Sequence, residues 1–339
     1  MAQTRGRGAI VLAAYDPDPE LFARQVMSLR AQTVTDWECI VTVDGDDATV
    51  RRVLAEIADD DSRFRVLADG QRLGFYLNFE RGLRAVGEET EWVALCDQDD
   101  AWYPEKLETL LPHLEGAALV SGQARLVTYP GEIVTGRTER RDLGPVMTML
   151  NNQFTGSLCV LRGELIAPSL PFPRMSTRAA AHDHWLAVVA GSRGGTHVVD
   201  VVVQDYVQHD NNVFGDPSRM DSGRRSSVIV TAWQNARAFT RRYEGSASPW
   251  AMLRMLFRVY VGWRQLLADE LRERSGDSAA AVDGFGRRRR LGWTIGLLRN
   301  ARRRGHVPTR FVVEYLASWI AGVIVGGRRS TGATPRQTR

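Results

Sequence analysis

Lysine is nearly absent from this chain: Lys106 is the only one among 44 basic residues, and arginine supplies the rest. The arginines crowd late, in runs at 287–290 and 302–304, while the carboxylates weigh on the first half, so a net charge of only +4 hides an asymmetry. A basic second half suggests an acidic partner surface there, and anionic lipid is the expected one. Nucleic acid is not expected, because no recognised reading module accompanies the charge. Cysteine is scarce as well. Cys39, Cys96 and Cys159 each sit in an apolar, strand-like run without paired spacing, which argues against a disulfide framework and for reduced core thiols in a reducing compartment. Residues 1–8 offer no apolar run long enough for a signal peptide, so the first domain is expected to be cytoplasmic. The longest late apolar stretch, 311–325, is interrupted by Glu314 and Ser318 and falls short of the roughly 20 apolar residues that a spanning helix needs. No G-x-G-x-x-G follows the first apolar run and no G-x-x-x-x-G-K-[ST] occurs, which disfavours a dinucleotide fold and a P-loop enzyme.

What is present is ordinary globular composition, 44% hydrophobic and 25% charged, in a chain long enough for one large domain or two. Short apolar runs alternate with helical periodicity. Residues 9–14 read as a buried strand, followed by a helix with Phe22, Val26 and Leu29 on one face. Residues 37–43 form a second strand, followed by a helix holding Val50, Val53, Leu54 and Ile57. Residues 64–67 form a third strand, with a helix from Gly74 to about Val86. Residues 92–96 form a fourth, with a helix opened by Pro104 and carrying Leu107, Leu110, Leu111 and Leu114. Four such alternations predict an α/β fold with a mostly parallel sheet and helices on both faces. Beyond residue 118 the alternation weakens. Strands are expected within 119–134, at 156–161 and at 198–203, with a short helix near 146–150 and another over 179–189. The first domain is expected to end near Ser222. Residues 223–327 read as helices at 228–243, 249–274, 286–304 and 308–325, and 328–339 as a disordered tail.

The stretch around which the rest is arranged is Asp97-Gln98-Asp99-Asp100, at the end of the fourth strand and before Trp102 and Pro104. Ligands of open α/β sheets collect at that edge. Carboxylates so close together repel one another unless a cation or a set of donors holds them, and hard divalent ions favour such oxygen ligands. The plainer reading is a solvated turn capping the next helix. Asp44 and Tyr15 likewise end strands, where turn residues are common. Asn78 suits the closing of a helix's first turn, and Gly156 the start of a strand. Trp185 suits core packing and sugar stacking equally, and Asp183 suits a helix cap.

These motifs, in this order, resemble the family 2 glycosyltransferases, inverting nucleotide-sugar transferases of the GT-A fold, and among them the rhamnosyltransferase-like members. The nucleotide half is matched by the strand before Tyr15, by Val43-Asp44-Gly45-Asp46, by Gly74-Phe75-Tyr76-Leu77-Asn78-Phe79 and by the acid cluster with its W-x-P tail. The acceptor half is matched by 152–156, by His182-Asp183-His184-Trp185 and by Gln208-His209-Asp210-Asn211-Asn212. The resemblance covers residues 9 to about 215. It implies a GT-A domain at 1–222 and a metal-dependent transfer of one sugar; nothing later supports the match, and 223–327 is read from its own composition as a helical, membrane-associated region. The cofactor would be Mg²⁺ or Mn²⁺, bound by Asp99, Asp97 and His209. The donor would be a dTDP- or UDP-linked sugar, rhamnose among the candidates, held by Tyr15, Asp44, Asp97 and Asn78. The acceptor, a cell-surface glycan or lipid-linked precursor, would meet Gly156, Trp185 and His184, with Asp183 as general base. One departure stands out: Val43 occupies a place where many members carry a second acid, so base recognition would rest on Asp44 alone.

The C-terminal arginines lie beside Trp250, Trp263, Trp293 and Trp319, a composition that fits helices lying in an anionic headgroup layer on the inner face of the plasma membrane. A soluble helical appendage is the alternative. The Q-x-x-R-W motif and long spanning helices of processive synthases are missing. Two other classes remain open: a nucleotidyltransferase, which would normally show a glycine-rich basic loop after its first strand, and a non-catalytic carbohydrate-binding protein that kept the fold.

Overall fold

A computed structural model of the chain describes residues 7–175, 180–209, 237–238, 240–241, 248–286 and 290–326. The expected motif residues 210–212, the boundary at Ser222, most of the helix expected at 228–243, the arginines at 287–289 and the tail at 328–339 lie outside these. Of the described residues, those within 1–173, 181–222 and 271–282 form one compact unit, and those within 174–180, 223–270 and 283–339 form a second.

The first unit is built on one sheet. Its opening strands, β1 (Gly8–Ala14), β2 (Trp37–Val43), β3 (Phe64–Leu67) and β4 (Trp92–Asp97), fall where the apolar runs predict them and pair in parallel in the order β3-β2-β1-β4. Strands of a parallel sheet covered by helices read as continuous apolar runs, and here every residue from Val93 to Cys96 is inaccessible to solvent. The helices α1 (Pro19–Arg30), α2 (Ala48–Ala58) and α3 (Phe75–Arg84) follow the first three strands. The first begins sharply because Asp18 accepts hydrogen bonds from the amides of Glu20 and Leu21 at 2.9 and 3.1 Å and Pro19 fills the first helical position. It buries Phe22, Val26 and Leu29, the periodic face that the sequence predicts.

The helix expected after Pro104 is shorter than the leucine spacing indicates. Only α4 (Lys106–Leu110) is α-helical, and a 3₁₀ turn (Leu111–Glu115) replaces the rest. Pro112 has no N–H to continue the ladder, yet Leu107, Leu110, Leu111 and Leu114 are all buried.

Past β4 the sheet becomes mixed. It continues β4-β8-β6-β9-β5, with β5 (Ala101–Trp102), β6 (Leu119–Thr128), β8 (Cys159–Arg162) and β9 (Thr196–Gln208), while β7 (Val134–Arg137) hooks onto β6. β4–β8, β8–β6 and β9–β5 are antiparallel, and β6–β9 is parallel. The strand expected to start at Gly156 begins only at Cys159, after a 3₁₀ turn (Gly156–Leu158). The helices of this half are α5 (Pro145–Leu150), α6 (Ile166–Ser169) and α7 (His182–Ser192).

The second unit is helical. Its elements are α8 (Pro249–Leu256), a π-helical turn (Phe257–Gly262), the start of α9 (Trp263–Ser275), α10 (Leu291–Arg303) and α11 (Thr309–Gly326). Glu314, the charge inside the late apolar stretch, is buried, accepts from the Tyr260 hydroxyl and pairs with Arg310 at 2.8 Å. Among the described residues no helix is long and apolar enough to cross a membrane.

Candidate active site

Three parallel strands end side by side. β1 delivers Tyr15, β2 delivers Asp44 and β4 ends in Asp97, which lies opposite Ala13 in the register. The Gln98 side chain ties this edge together: its Oε1 accepts from the Tyr15 amide at 2.7 Å, and its Nε2 donates to the Tyr15 carbonyl at 3.1 Å. Tyr15 is consequently fixed by its backbone while its ring stays exposed. The guanidinium of Arg72 lies over that ring, 4.3 Å from its centre.

Asp44 is 3% exposed and accepts from the amides of Leu73 and Gly74, the latter at 3.0 Å. Its carboxylate therefore orders the loop that carries Arg72 and starts α3, which differs from the direct base contact expected of it. Gly74 adopts φ +83° there, a conformation glycine takes without a Cβ penalty. Asn78 is also spent within the protein. At 1% exposure it donates to the Thr42 carbonyl at 2.9 Å and to the Ala14 carbonyl at 3.3 Å, and accepts from Thr42 Oγ1 at 2.8 Å and from Arg81 at 2.7 Å. It joins α3 to the ends of β1 and β2 and leaves no polar atom for a donor.

The acid cluster divides by environment. Asp100 is 1% exposed and accepts from Gln204 Nε2 at 2.7 Å and from the Val207 amide at 3.1 Å, so both of its oxygens are engaged within the protein. Burial and the charges of Asp99 and Asp97 push its carboxyl well above the usual range. Beneath it lies Lys106, fully buried, donating to the Ser157 carbonyl at 2.5 Å and to Gln204 Oε1 at 2.6 Å and seated 3.5 Å from the Trp102 ring centre. Burial pulls its ammonium down to about 7. Lys106, Gln204 and Ser157 form the floor of the cluster, a role that the sequence flags only through the oddity of one lysine among arginines.

Asp97 and Asp99 remain partly accessible. Burial and the neighbouring Asp99 and Asp183 charges raise Asp97 to about 7, with a hydrogen bond from Ser157 opposing them. Asp99 Oδ2 meets His209 Nε2 at 2.7 Å, which brings the end of β4 to the end of β9. Among the described residues no group of three or more His, Cys, Asp or Glu side chains is gathered at metal-binding spacing. The donor set nevertheless fits a divalent ion. Two carboxylates repel and one imidazole touches the nearer of them, an oxygen-rich set in which one or two protein acids commonly share Mg²⁺ or Mn²⁺ with phosphate oxygens.

Asp183 lies in the first turn of α7 and accepts from the His184 amide at 2.6 Å. Burial raises it to about 6 against the pull of that amide and of Arg140. Its field reaches Asp97, so the sequence-predicted base and the acid cluster share one electrostatic neighbourhood. His182 stacks on Phe79 at 3.9 Å with both ring nitrogens buried and without a hydrogen-bond partner, and burial pushes it down to about 3. A Cβ at Gly156 would stand 2.5 Å from His182 Nε2, so the glycine makes room for a neutral imidazole.

The two expected acceptor contacts beside Asp183 lie in the core instead. Trp185 is 0% exposed and donates to the Ser169 carbonyl at 2.8 Å, with Arg274 over its ring at 4.9 Å. His184 is 4% exposed, with Nε2 against the Thr148 carbonyl at 2.9 Å. Every residue of α7 from His184 to Ala190 is buried, whereas Asp183 is half-buried, which separates Asp183 from both neighbours.

Residues 9–163 match the family model described as Glycosyl transferase family 2. Over 106 residues the chain is 33% identical to an uncharacterized protein, y4gI, of Sinorhizobium fredii (strain NBRC 101917 / NGR234), a stretch of 29% of this chain and 11% of that protein. The chain thus spans about a tenth of that relative's length. Among solved structures it is similar to TarS 1–349 of S. aureus in complex with UDP-GlcNAc, with 13% identity, a TM-score of 0.50 and coverage of 95% of this chain and 93% of that one. It is also similar to the mannosyltransferase PcManGT of Pyrobaculum calidifontis in complex with GDP-Man and Mn²⁺, with 15% identity, a TM-score of 0.47 and coverage of 94% and 86%. The family match covers a little under half of the chain, and the fold, a mixed α/β sheet with helices around it and a C-terminal helical region, is of the GT-A type.

Proposed function

We propose that this chain is a metal-dependent inverting glycosyltransferase that moves one sugar from a nucleoside-diphosphate donor to a hydroxyl of a glycan or lipid-linked acceptor, with residues 1–222 as its catalytic domain. The observation that carries this reading is the 2.7 Å meeting of Asp99 and His209 at the strand edge where Asp97 ends, within the electrostatic reach of Asp183. The exposed Tyr15 ring and the Arg72 guanidinium above it suit a nucleotide base, and a nucleotide sugar is what the TarS structure contains. A UDP- or dTDP-linked sugar is the donor class, with dTDP-rhamnose one of the first to test.

A divalent ion held by Asp99, Asp97 and His209 would neutralise charge on the departing diphosphate. Asp183 takes the proton from the acceptor hydroxyl as that oxygen attacks the anomeric carbon from the side opposite the leaving group, and a single displacement inverts its configuration. A base held at about 6 is ionised at neutral pH yet basic enough to accept that proton. A nucleotidyltransferase would need basic groups in the first loop, which here reads Asp16-Pro17-Asp18-Pro19.

The second unit supports a membrane-facing role on the inner leaflet. Ile320, Val323 and Ile324 on α11 are 57%, 55% and 49% exposed, and Leu291 and Ile295 on α10 are 45% and 48% exposed, with Arg299, Arg302, Arg303 and Arg304 also at the surface. Apolar side chains beside arginines suit an anionic headgroup layer. Flotation with vesicles containing phosphatidylglycerol, against vesicles of phosphatidylcholine alone, tests this.

The donor reading is tested by melting temperature in the presence of nucleotide sugars with and without Mn²⁺, since a ligand that binds the native state raises it. At least one UDP- or dTDP-sugar should give a metal-dependent rise. No rise with any of them would remove the donor assignment.

A further inference from the structure

On the side that faces the acid cluster, the strand that brings His209 to Asp99 is held at its end by a side chain. Its other side pairs with β6 as far as Gln208, but its pairing with β5 stops at Ala101 opposite Asp205. Past that point the Asp100 carboxylate takes over. Its Oδ1 accepts from the Val207 amide at 3.1 Å and its Oδ2 from Gln204 Nε2 at 2.7 Å. Asp100 follows Asp99 in the chain, and Val207 stands two residues before His209. One buried carboxylate therefore joins the two segments that meet in the 2.7 Å contact between Asp99 Oδ2 and His209 Nε2.

Gln204 serves Asp100 in only one orientation of its amide, and Lys106 enforces it. An ammonium has donors and no acceptor. Lys106 Nζ donates to Gln204 Oε1 at 2.6 Å, so the carbonyl faces the lysine and the NH₂ faces Asp100 and Ser157 Oγ, the latter at 3.1 Å. The ammonium also donates to the Ser157 carbonyl at 2.5 Å and lies 3.5 Å from the centre of the Trp102 ring, so the lysine is fixed on three sides. With the lysine removed, the amide is free to turn over and set its oxygen against the carboxylate.

We propose that Lys106, Gln204 and Asp100 are positioning residues for the metal site: acting in series, they set His209 against Asp99 so that both reach one divalent ion. The inference rests on the reading of Asp99, Asp97 and His209 as the metal's ligands. Residues that orient a ligating side chain govern metal affinity by about 10- to 100-fold without touching the ion. A buried lysine, costly unless its donors are matched, thus acts on the site through the amide it orients.

The test is binding of Mn²⁺ alone to the full chain, followed by the EPR signal of the free ion. The variants are Gln204→Met, Lys106→Met, His209→Ala and Gln204→Met combined with His209→Ala. Gln204→Met keeps the size and neutrality of the side chain and should weaken binding about tenfold or more. Lys106→Met should weaken it similarly. Removing a buried positive charge would by itself favour a cation, so a weaker site in this variant reports the lost orientation. Once the imidazole is gone Gln204 has nothing left to place, and the double variant should bind within about twofold of His209→Ala. Fully additive losses would mark a general effect on the fold and overturn the proposal. Gln204→Met with native melting temperature and wild-type affinity, or Lys106→Met that binds Mn²⁺ more tightly than wild type, would overturn it too. If these variants do not fold, Asp100→Asn, which keeps the shape and loses one acceptor, decides: about a tenfold loss supports the proposal and wild-type affinity overturns it. Failure of the ligand reading is distinct, because wild type and His209→Ala would then bind Mn²⁺ equally or not at all, and the proposal would fall with it.

Discussion

Asp183 and Lys106 are both held far from the protonation behaviour of free side chains, and each has a measurable consequence. A general base must be ionised, so kcat/KM should rise with pH through about 6 and level off above it. Asp183→Asn should lower kcat by roughly 10²- to 10⁴-fold. The stability sign runs the other way. The folded-state value lies above the ordinary aspartate value of 3.8, so the native state binds the proton more tightly, and this contribution is greatest at acid pH and declines as pH rises through about 6. Asp183→Asn should therefore melt no lower than wild type at pH 8 while losing activity, which calorimetry at pH 5 and 8 would check. Lys106→Met should leave the Ser157 carbonyl and Gln204 Oε1 without their donor and destabilise the fold by about 3 kcal/mol in urea unfolding. Asp99 and Asp183 stand out in the sequence through the motifs they belong to, since a carboxylate after a strand or at a helix start is by itself commonly a turn or cap residue. Lys106, Gln204 and Ser157 do not, since a buried polar network leaves no periodic trace. Trp185 and His184 were misleading because adjacency along a helix places side chains on different faces.

At the scale of elements, the parallel strands are legible because burial on both faces makes them unbroken apolar runs, whereas the antiparallel half mixes exposed and buried positions and blurs its ends. β9 extends over Thr196–Gln208, well beyond the 198–203 that the apolar run marks, because pairing with β6 and β5 carries polar residues such as Gln204 and Asp205 into the strand. That extension is what brings His209 to Asp99. The loop before α3 depends on Gly74 at φ +83° and on its bond to Asp44. Gly74→Ala should cost about 1–2 kcal/mol and, by shifting Arg72 away from Tyr15, raise the donor KM more than it changes kcat. Gly156→Ala should push His182 off Phe79, since 2.5 Å admits no methyl group. A melting-temperature loss of several degrees, with the Phe79 stacking lost from ring-current NMR shifts, is the expected outcome.

At the scale of the whole molecule, the chain divides into a unit built on the mixed sheet, where the motifs spanning 9 to about 215 fall, and a helical unit with exposed apolar residues and arginines on α10 and α11. The late apolar stretch illustrates what composition alone leaves open. Glu314 interrupts the run, and the structure shows why the charge is tolerated: Tyr260 and Arg310 partner it inside the unit. Metal affinity should increase with pH through about 7, because burial and repulsion hold a proton on Asp97 that a cation must displace. Titration of Mn²⁺ at pH 6 and 8 would show this. The most direct test of the central claim is release of nucleoside diphosphate from nucleotide sugars in the presence of acceptor, with wild type, Asp99→Asn and Asp183→Asn, with and without EDTA. The account predicts metal-dependent release by wild type, loss in both variants, and donor-induced thermal stabilisation retained in Asp183→Asn. Turnover that persists in both variants, or that ignores EDTA, would contradict it.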